Sequence, residues 1–198
     1  NKGVMKEKFS VRSFVKNVGY TKLFLTFMFA CFLGTTVETM WCFVTRGYLE
    51  SRKGLIYGPF NLVYGLGALI MLLFLSRFEK SWAIFLGSAV IGGAFEYFCS
   101  VFQEMSFGTV SWYYGGSPAS IGGRINALYM IFWGGLGLLF IRVLFPMFST
   151  MLDTLLSHFS DETIRLVVIL LTVFMVCNAA ISFAAVWRQA KRREGFPP

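Results

Sequence analysis

The chain has 198 residues, of which 56% are hydrophobic, 18% aromatic and only 14% charged, with a net charge of +8. A soluble domain carries about 25% charged residues, so an ordinary water-soluble fold is excluded. The positive charge sits on the flanks: Lys2, Lys6, Lys8, Arg12, Lys16 and Lys22 precede the first apolar run, and Arg188, Lys191, Arg192 and Arg193 follow the last. That is the pattern of positive-inside signals and of contact with anionic headgroups, not of a nucleic-acid face.

The expected fold is all-α, a polytopic transmembrane helical bundle with about five spanning helices, interfacial helices and an aromatic, Gly-rich loop that is either interfacial or re-entrant. Residues 1–22 form a basic amphipathic segment. Within it, residues 9–20 alternate basic and apolar (Phe9, Val11, Phe14, Val15, Val18) and read as a helix lying on the membrane. A single bundle over 23–186 follows, with spans at 23–45, 59–76, 82–103, 125–145 and 164–186, and then a basic tail, 187–198. The first apolar run is too long for a signal-peptide core and has no A-x-A-like site after it, so it reads as a retained span.

Tyr57-Gly58-Pro59 marks a turn into the second span, with Pro59 suited to a helix start. The turn Arg77 to Lys80 is short enough to make the second and third spans antiparallel neighbours. Residues 104–123 hold Trp112, Tyr113, Tyr114, two Gly-Gly pairs and Pro118, which suits an aromatic interfacial loop or a re-entrant segment. The fourth span ends at Pro146. After it, Phe148, Met151, Leu152, Leu155, Leu156 and Phe159 share one face, as on an amphipathic surface helix. Five crossings put the termini on opposite sides, and the more basic N-terminal flank favours the inside. Ala30/Gly34, Ser88/Gly92, Ala89/Gly93 and Ala180/Ala184 are small pairs four apart that suit close helix packing. No repeat with a solenoid period is visible.

Polar residues fall on helix faces inside these greasy segments. Thr35, Glu38, Thr39, Cys42, Thr45 and Arg46 share a face of the first span; Glu96, Cys99, Ser100 and Gln103 share one on the third, with Glu104 beside them. The second span offers Tyr57, Asn61 and Tyr64, and the fourth opens with Arg124 and Asn126. Ionised groups at membrane depth are costly and face a bundle interior, a cation or a polar cavity. Two readings follow. The stripes are packing glue, with Glu38 or Glu96 braced by Arg46 or Arg124, or they line a polar chamber open to one side. In the second reading the candidate substrate- or ion-binding set is Glu38, Arg46, Tyr57, Asn61, Tyr64, Glu96, Ser100, Glu104, Trp112, Tyr114, Arg124 and Asn126.

The four cysteines, Cys31, Cys42, Cys99 and Cys177, form no CxxC pair, so neither a disulfide framework nor a metal site is expected. No cofactor motif is present. There is no GxxxxGK[ST], so ATP hydrolysis by a P-loop is not encoded.

Two ordered blocks resemble a known family. Arg46-Gly47-Tyr48-Leu49, Gly54-Leu55-Ile56-Tyr57-Gly58-Pro59-Phe60 and Val63-Tyr64-Gly65-Leu66-Gly67 are similar to the NRG-x-L-x-GP-x-x-P-I-Y-G-x-G block of the ABC-transporter type IV permease family (CmpB-like). Glu96-Tyr97, Glu104, Phe107-Gly108, Trp112-Tyr113-Tyr114 and Gly123-Arg124-Ile125-Asn126 resemble its second block, EY…E…FG-x-x-WWDYS…N-x-x-GRI. The basic ending from Arg188 to Pro198 is similar too. Tyr113 stands where the family has Asp, and Glu50 to Lys53 lengthen the first block. The resemblance implies a multi-pass protein of the bacterial cytoplasmic (inner) membrane, a role in transport, a separate ATPase subunit and assembly as a homo- or hetero-oligomer within the lipid bilayer. Two other classes stand beside the transporter component: an intramembrane enzyme acting on a lipid or lipid-linked substrate, and a membrane scaffold or regulatory partner.

Overall fold

α1 (Tyr20–Arg46) is a helix of 27 residues, about 40 Å long at ~1.5 Å per residue, and it stops at Gly47. Gly47 adopts φ 77° and returns its N–H to the Phe43 carbonyl at 2.9 Å, a left-handed cap that suits glycine. The structure, a computed structural model, describes residues 18–108, 113, 115, 116 and 119–193. The expected surface helix at 9–20 and the outer part of the basic tail, 194–198, therefore lie outside the described residues.

The remaining helices are α2 (Leu62–Leu75), α3 (Ser81–Phe107), α4 (Ala127–Leu139), α5 (Phe145–Leu156) and α6 (Asp161–Arg193). The fold is an all-α polytopic bundle. Tyr20–Arg46, Ser81–Ser106, Ala127–Leu156 and Asp161–Arg192 are long and apolar enough to cross a membrane. Their outer faces stay apolar: Trp41, Val44, Phe98, Met105 and Val176 are exposed, which is what a lipid solvent asks for.

α2 is shorter than the expected second span. Its 14 residues reach about 21 Å. The cause is where it begins. Asn61, its N-cap, gives its N–H to the Cys31 carbonyl at 3.3 Å, far down α1 from Arg46, by about 22 Å at the helical rise. Residues 47–61 therefore fold back along the bundle, and α2 starts partway through it. The interfacial or re-entrant segment expected at 104–123 lies in part outside the described residues, and the loop that folds back here is the one between the first two helices.

Pro146 does not end the fourth helix. α4 continues through a π-helical turn, Phe140–Leu144, into α5, with Pro146 in the first turn of α5. The wider π-turn clears the carbonyls that a proline ring would strike and absorbs its missing N–H. It also aims Arg142 at the Glu79 carbonyl in the α2–α3 turn. The face expected for a surface helix divides: Phe148 and Leu152 are buried, whereas Met151, Leu155 and Phe159 are exposed. Phe148 stacks on Phe29 of α1, with ring centroids 4.2 Å apart.

Glycines set the helix separations. A Cβ on Gly34 would stand 2.2 Å from the Tyr64 ring, one on Gly92 2.4 Å from Trp133, and one on Gly137 2.1 Å from the Ser88 hydroxyl. The α1–α2 and α3–α4 hairpins are packed at backbone contact. Ala180 and Ala184 are exposed and join no internal seam. α1 meets α6 where Tyr20 bonds Thr172 at 3.1 Å, and meets α5 where Lys22 pairs with Asp153 at 2.7 Å. Along α6 the buried positions are Val168, Met175, Asn178, Ser182 and Ala190, one stripe of an otherwise outward-facing helix.

Candidate functional site

The re-entering loop brings Arg52 onto Glu38. Arg52 Nε donates to Glu38 Oε1 at 2.9 Å, and Tyr64 Oη donates to Glu38 Oε2 at 2.6 Å. The backbone of Arg52 is held at both ends: its N–H donates to Thr39 Oγ1 at 3.3 Å, and its carbonyl accepts from Asn61 Nδ2 at 3.3 Å. Burial works against the Arg52 charge, yet the hydrogen bond and negative charge of Glu38 outweigh it and raise the guanidinium above its ordinary pKa. Both oxygens of Glu38 are thus occupied, one by Arg52 and one by Tyr64. Arg46 pairs with Glu50 at 3.0 Å.

α6 carries the rest of the loop. Asn178 Nδ2 donates to the Tyr57 carbonyl at 2.7 Å while its Oδ1 accepts the Tyr57 N–H at 3.1 Å; Ser182 Oγ accepts the Ile56 N–H at 2.9 Å. Irregular backbone within a bundle needs such partners. Tyr57 takes part through its main chain, and its ring is exposed.

The second hairpin builds a related cluster. Trp133 Nε1 donates to Glu96 Oε2 at 3.2 Å, and Glu96 is only 8% exposed. A short ladder, β1 (Ser120–Ile121) with β2 (Ile125–Asn126), turns through Gly122 and Gly123 at φ 60° and 71°. That left-handed turn returns Arg124 over the end of α3. Arg124 Nη1 donates to Ser100 Oγ at 3.1 Å, its Nη2 pairs with Glu104, and its guanidinium lies 5.9 Å from the Tyr97 ring centroid. Asn126 caps α4, accepting the Leu128 N–H at 2.8 Å, as Asn61 caps α2 through Val63 at 3.1 Å.

The two clusters share one plan. Gly34 and Glu38 are four apart on α1; Gly92 and Glu96 are four apart on α3. In each hairpin an aromatic ring from the returning helix sits on the glycine and donates to the glutamate. In each, an arginine from the intervening loop bonds the outgoing helix, at Glu38 and Thr39 in the first and at Ser100 and Glu104 in the second.

Ten of the twelve candidates fall in or beside these clusters: Glu38, Arg46, Tyr57, Asn61 and Tyr64 in the first hairpin, Glu96, Ser100, Glu104, Arg124 and Asn126 in the second. Trp112 and Tyr114 lie outside the described residues. A groove of about 270 Å³ opens elsewhere, between Tyr20, Thr21, Asp161 and Arg165. Sequence reasoning passed over Arg52, Trp133, Asn178 and Ser182. Arg52 sits in the stretch read as an extension of the first block. Asn178 and Ser182 are a polar pair four apart in an apolar run, the same signal that singled out the stripes. Among the described residues no group of His, Cys, Asp and Glu is placed to hold a metal ion.

A family model described as "Putative ABC-transporter type IV" matches residues 25–183, which take in both hairpins and most of α6. No curated protein and no solved structure matches the chain.

Proposed function

The chain belongs to the Putative ABC-transporter type IV family, and from that membership we propose that it is the membrane-embedded component of a transport system of the bacterial cytoplasmic membrane. ATP hydrolysis comes from a separate subunit. A bundle this small needs further helices, from a second copy or another chain, to enclose a pathway. The solute-facing set is drawn from the two hairpin clusters: Glu38, Arg46, Asn61 and Tyr64 in the first, Glu96, Ser100, Glu104, Arg124 and Asn126 in the second.

The observation that carries this reading is Glu38, charge-paired within the bundle by an arginine on a re-entering loop. An ion pair is weak evidence of a stabilising role alone, and this one is partly exposed, at 25% for Glu38 and 33% for Arg52. Discontinuous helices and re-entrant backbone are how membrane transporters bring polar groups to a solute.

Affinity purification from native membranes tests the partner. The expected result is a stoichiometric ATP-hydrolysing subunit and, in reconstituted vesicles, ATP-dependent uptake from a cytosolic metabolite extract read by mass spectrometry. Isolation of the intact chain without such a subunit, with vesicle contents unchanged by ATP, would overturn it.

A further inference from the structure

We propose that the groove between the starts of α1 and α6 binds a zwitterionic phospholipid whose headgroup carries a primary ammonium beside the phosphate. This goes beyond the transport reading and does not rest on it.

The groove holds about 270 Å³, with Tyr20, Thr21, Asp161 and Arg165 among its lining residues. It stands where charged chain gives way to apolar chain. Past Lys22 the next charge on α1 is Glu38, and past Arg165 the next on α6 is Arg188. Headgroups meet a membrane protein at such a boundary. On α6, Asp161, Ile164, Arg165, Val168 and Ile169 follow the three- and four-residue steps of one helix face, charged at its start and apolar beyond. Val168 is buried and Ile169 is exposed, so the apolar end opens outward, where a lipid tail would lie. Tyr20 gives the groove a fixed wall: its ring stacks on Phe24 with centroids 5.9 Å apart, and its hydroxyl is bonded to Thr172. The volume is below the roughly 300–1,000 Å³ of pockets that enclose a whole drug-sized ligand. It seats a headgroup and leaves the acyl chains to the bilayer.

Charge selects the headgroup. Asp161 and Arg165 are four apart, the spacing at which helical ion pairs form. Among the described residues, however, neither enters an ion pair, and the Thr21 hydroxyl makes no hydrogen bond. Lys22, beside Thr21 in the chain, is taken by Asp153. The groove thus offers one cation, one anion and one hydroxyl. Arg165 and Thr21 donate to the phosphate oxygens, and Asp161 accepts from the ammonium. A headgroup with a phosphate alone brings nothing for Asp161 and adds negative charge beside it and Glu162. A quaternary ammonium has no N–H to give.

Native mass spectrometry of the full chain, delipidated in detergent and titrated with lipids of identical acyl chains, tests this. Phosphatidylethanolamine should be retained about fivefold more tightly than phosphatidylcholine or phosphatidylglycerol, the upper range for an exposed charge contact. Arg165→Gln should weaken all three. Asp161→Asn should erase the preference and raise phosphatidylglycerol relative to phosphatidylethanolamine. Glu162→Gln, which changes a charge outside the groove lining, should leave the preference as it is. All three positions are exposed, so the fold does not hang on them. Equal retention of the three lipids, no retention at all, or the same shift from Glu162→Gln as from Asp161→Asn would overturn the proposal. So would a dimer that Arg165→Gln dissolves, which gives the groove to a second copy, or retention that appears only after residues 1–17 are removed, which gives it to that segment.

Discussion

Tyr64 donates a 2.6 Å hydrogen bond to Glu38 while its ring rests on the bare backbone of Gly34. One aromatic side chain thus sets the distance between α1 and α2 and satisfies a carboxylate at the same time. Trp133 does both for α3 and α4, resting on Gly92 and donating to Glu96 at 3.2 Å. Packing and charge are coupled in each hairpin: the glycine admits the ring, and the ring carries the donor to the glutamate one turn further on.

Gly34→Ala and Gly92→Ala therefore strain the hairpins. The new methyl would meet the near end of the partner side chain, 2.6 Å from Tyr64 Cβ in the first case and 2.5 Å from Trp133 Cβ in the second, where no rotation relieves it. Each is expected to destabilise the protein by about 1–3 kcal/mol, the range for overpacking. Gly67→Ala is the control: its methyl would lie 3.6 Å from Phe95, an ordinary contact. It should be neutral, or stabilising by up to about 1 kcal/mol through helix propensity. Thermal unfolding in micelles ranks the three, and equal Tm values would refute the packing argument.

Tyr64→Phe keeps the ring on Gly34 and removes the donor. A hydrogen bond to a charged group is worth about 1.5–3 kcal/mol, so a loss in that range is expected. In a Glu38→Gln background the same substitution should cost less than half as much, because the carboxylate is gone. Denaturant unfolding of the four variants gives the coupling; a coupling near zero would mean that Tyr64 and Glu38 do not share a bond in the membrane.

Much of this was legible in the sequence. Segments of apolar residues gave the helices, and helical spacing found Glu38, Glu96, Ser100 and Tyr64, because a polar residue on a greasy helix is visible without knowing its partner. What sequence periodicity does not reveal is which loop folds back. Residues 46–58 read as a connector with an inserted Glu50 to Lys53, and 59–61 as the start of the second span. Only the contact of Asn61 with Cys31 shows that the connector re-enters and that α2 is short for that reason. Pro146 misled for a related cause: a proline ends a helix unless the preceding turn widens, and the π-turn at Phe140–Leu144 depends on packing against neighbours. The Gly-x-x-x-Glu pairs at Gly34/Glu38 and Gly92/Glu96 were in plain view. They gain meaning only when the ring that sits on each glycine is known.

Asn61 serves two backbones at once. Its Oδ1 accepts the Val63 N–H at 3.1 Å, and its Nδ2 holds the Arg52 carbonyl at 3.3 Å. Asn61→Asp preserves the cap and loses the second bond; Asn61→Ala loses both. Asp should therefore cost less than Ala, whose cap loss alone is about 1 kcal/mol. Both substitutions should raise amide exchange in the 47–61 loop. If Asp restores wild-type protection there, the bond to Arg52 contributes nothing to positioning the loop.

Trp133 separates the two halves of the shared plan. Trp133→Phe removes the indole N–H from Glu96 and leaves an aromatic ring over Gly92; Trp133→Ala removes the donor and empties the seat. Truncating a packed Trp costs about 3–5 kcal/mol, whereas losing one donor to a charged partner costs about 1.5–3 kcal/mol. Packing is thus the larger share, and Ala should be the more damaging variant. A stability loss for Phe as large as for Ala would reverse the assignment and make the hydrogen bond to Glu96 the dominant element of the α3–α4 seam. The measurement is again unfolding in micelles, with Gly92→Ala in parallel: that variant strains the seat without deleting the N–H, and its cost of about 1–3 kcal/mol should stay below that of Trp133→Ala.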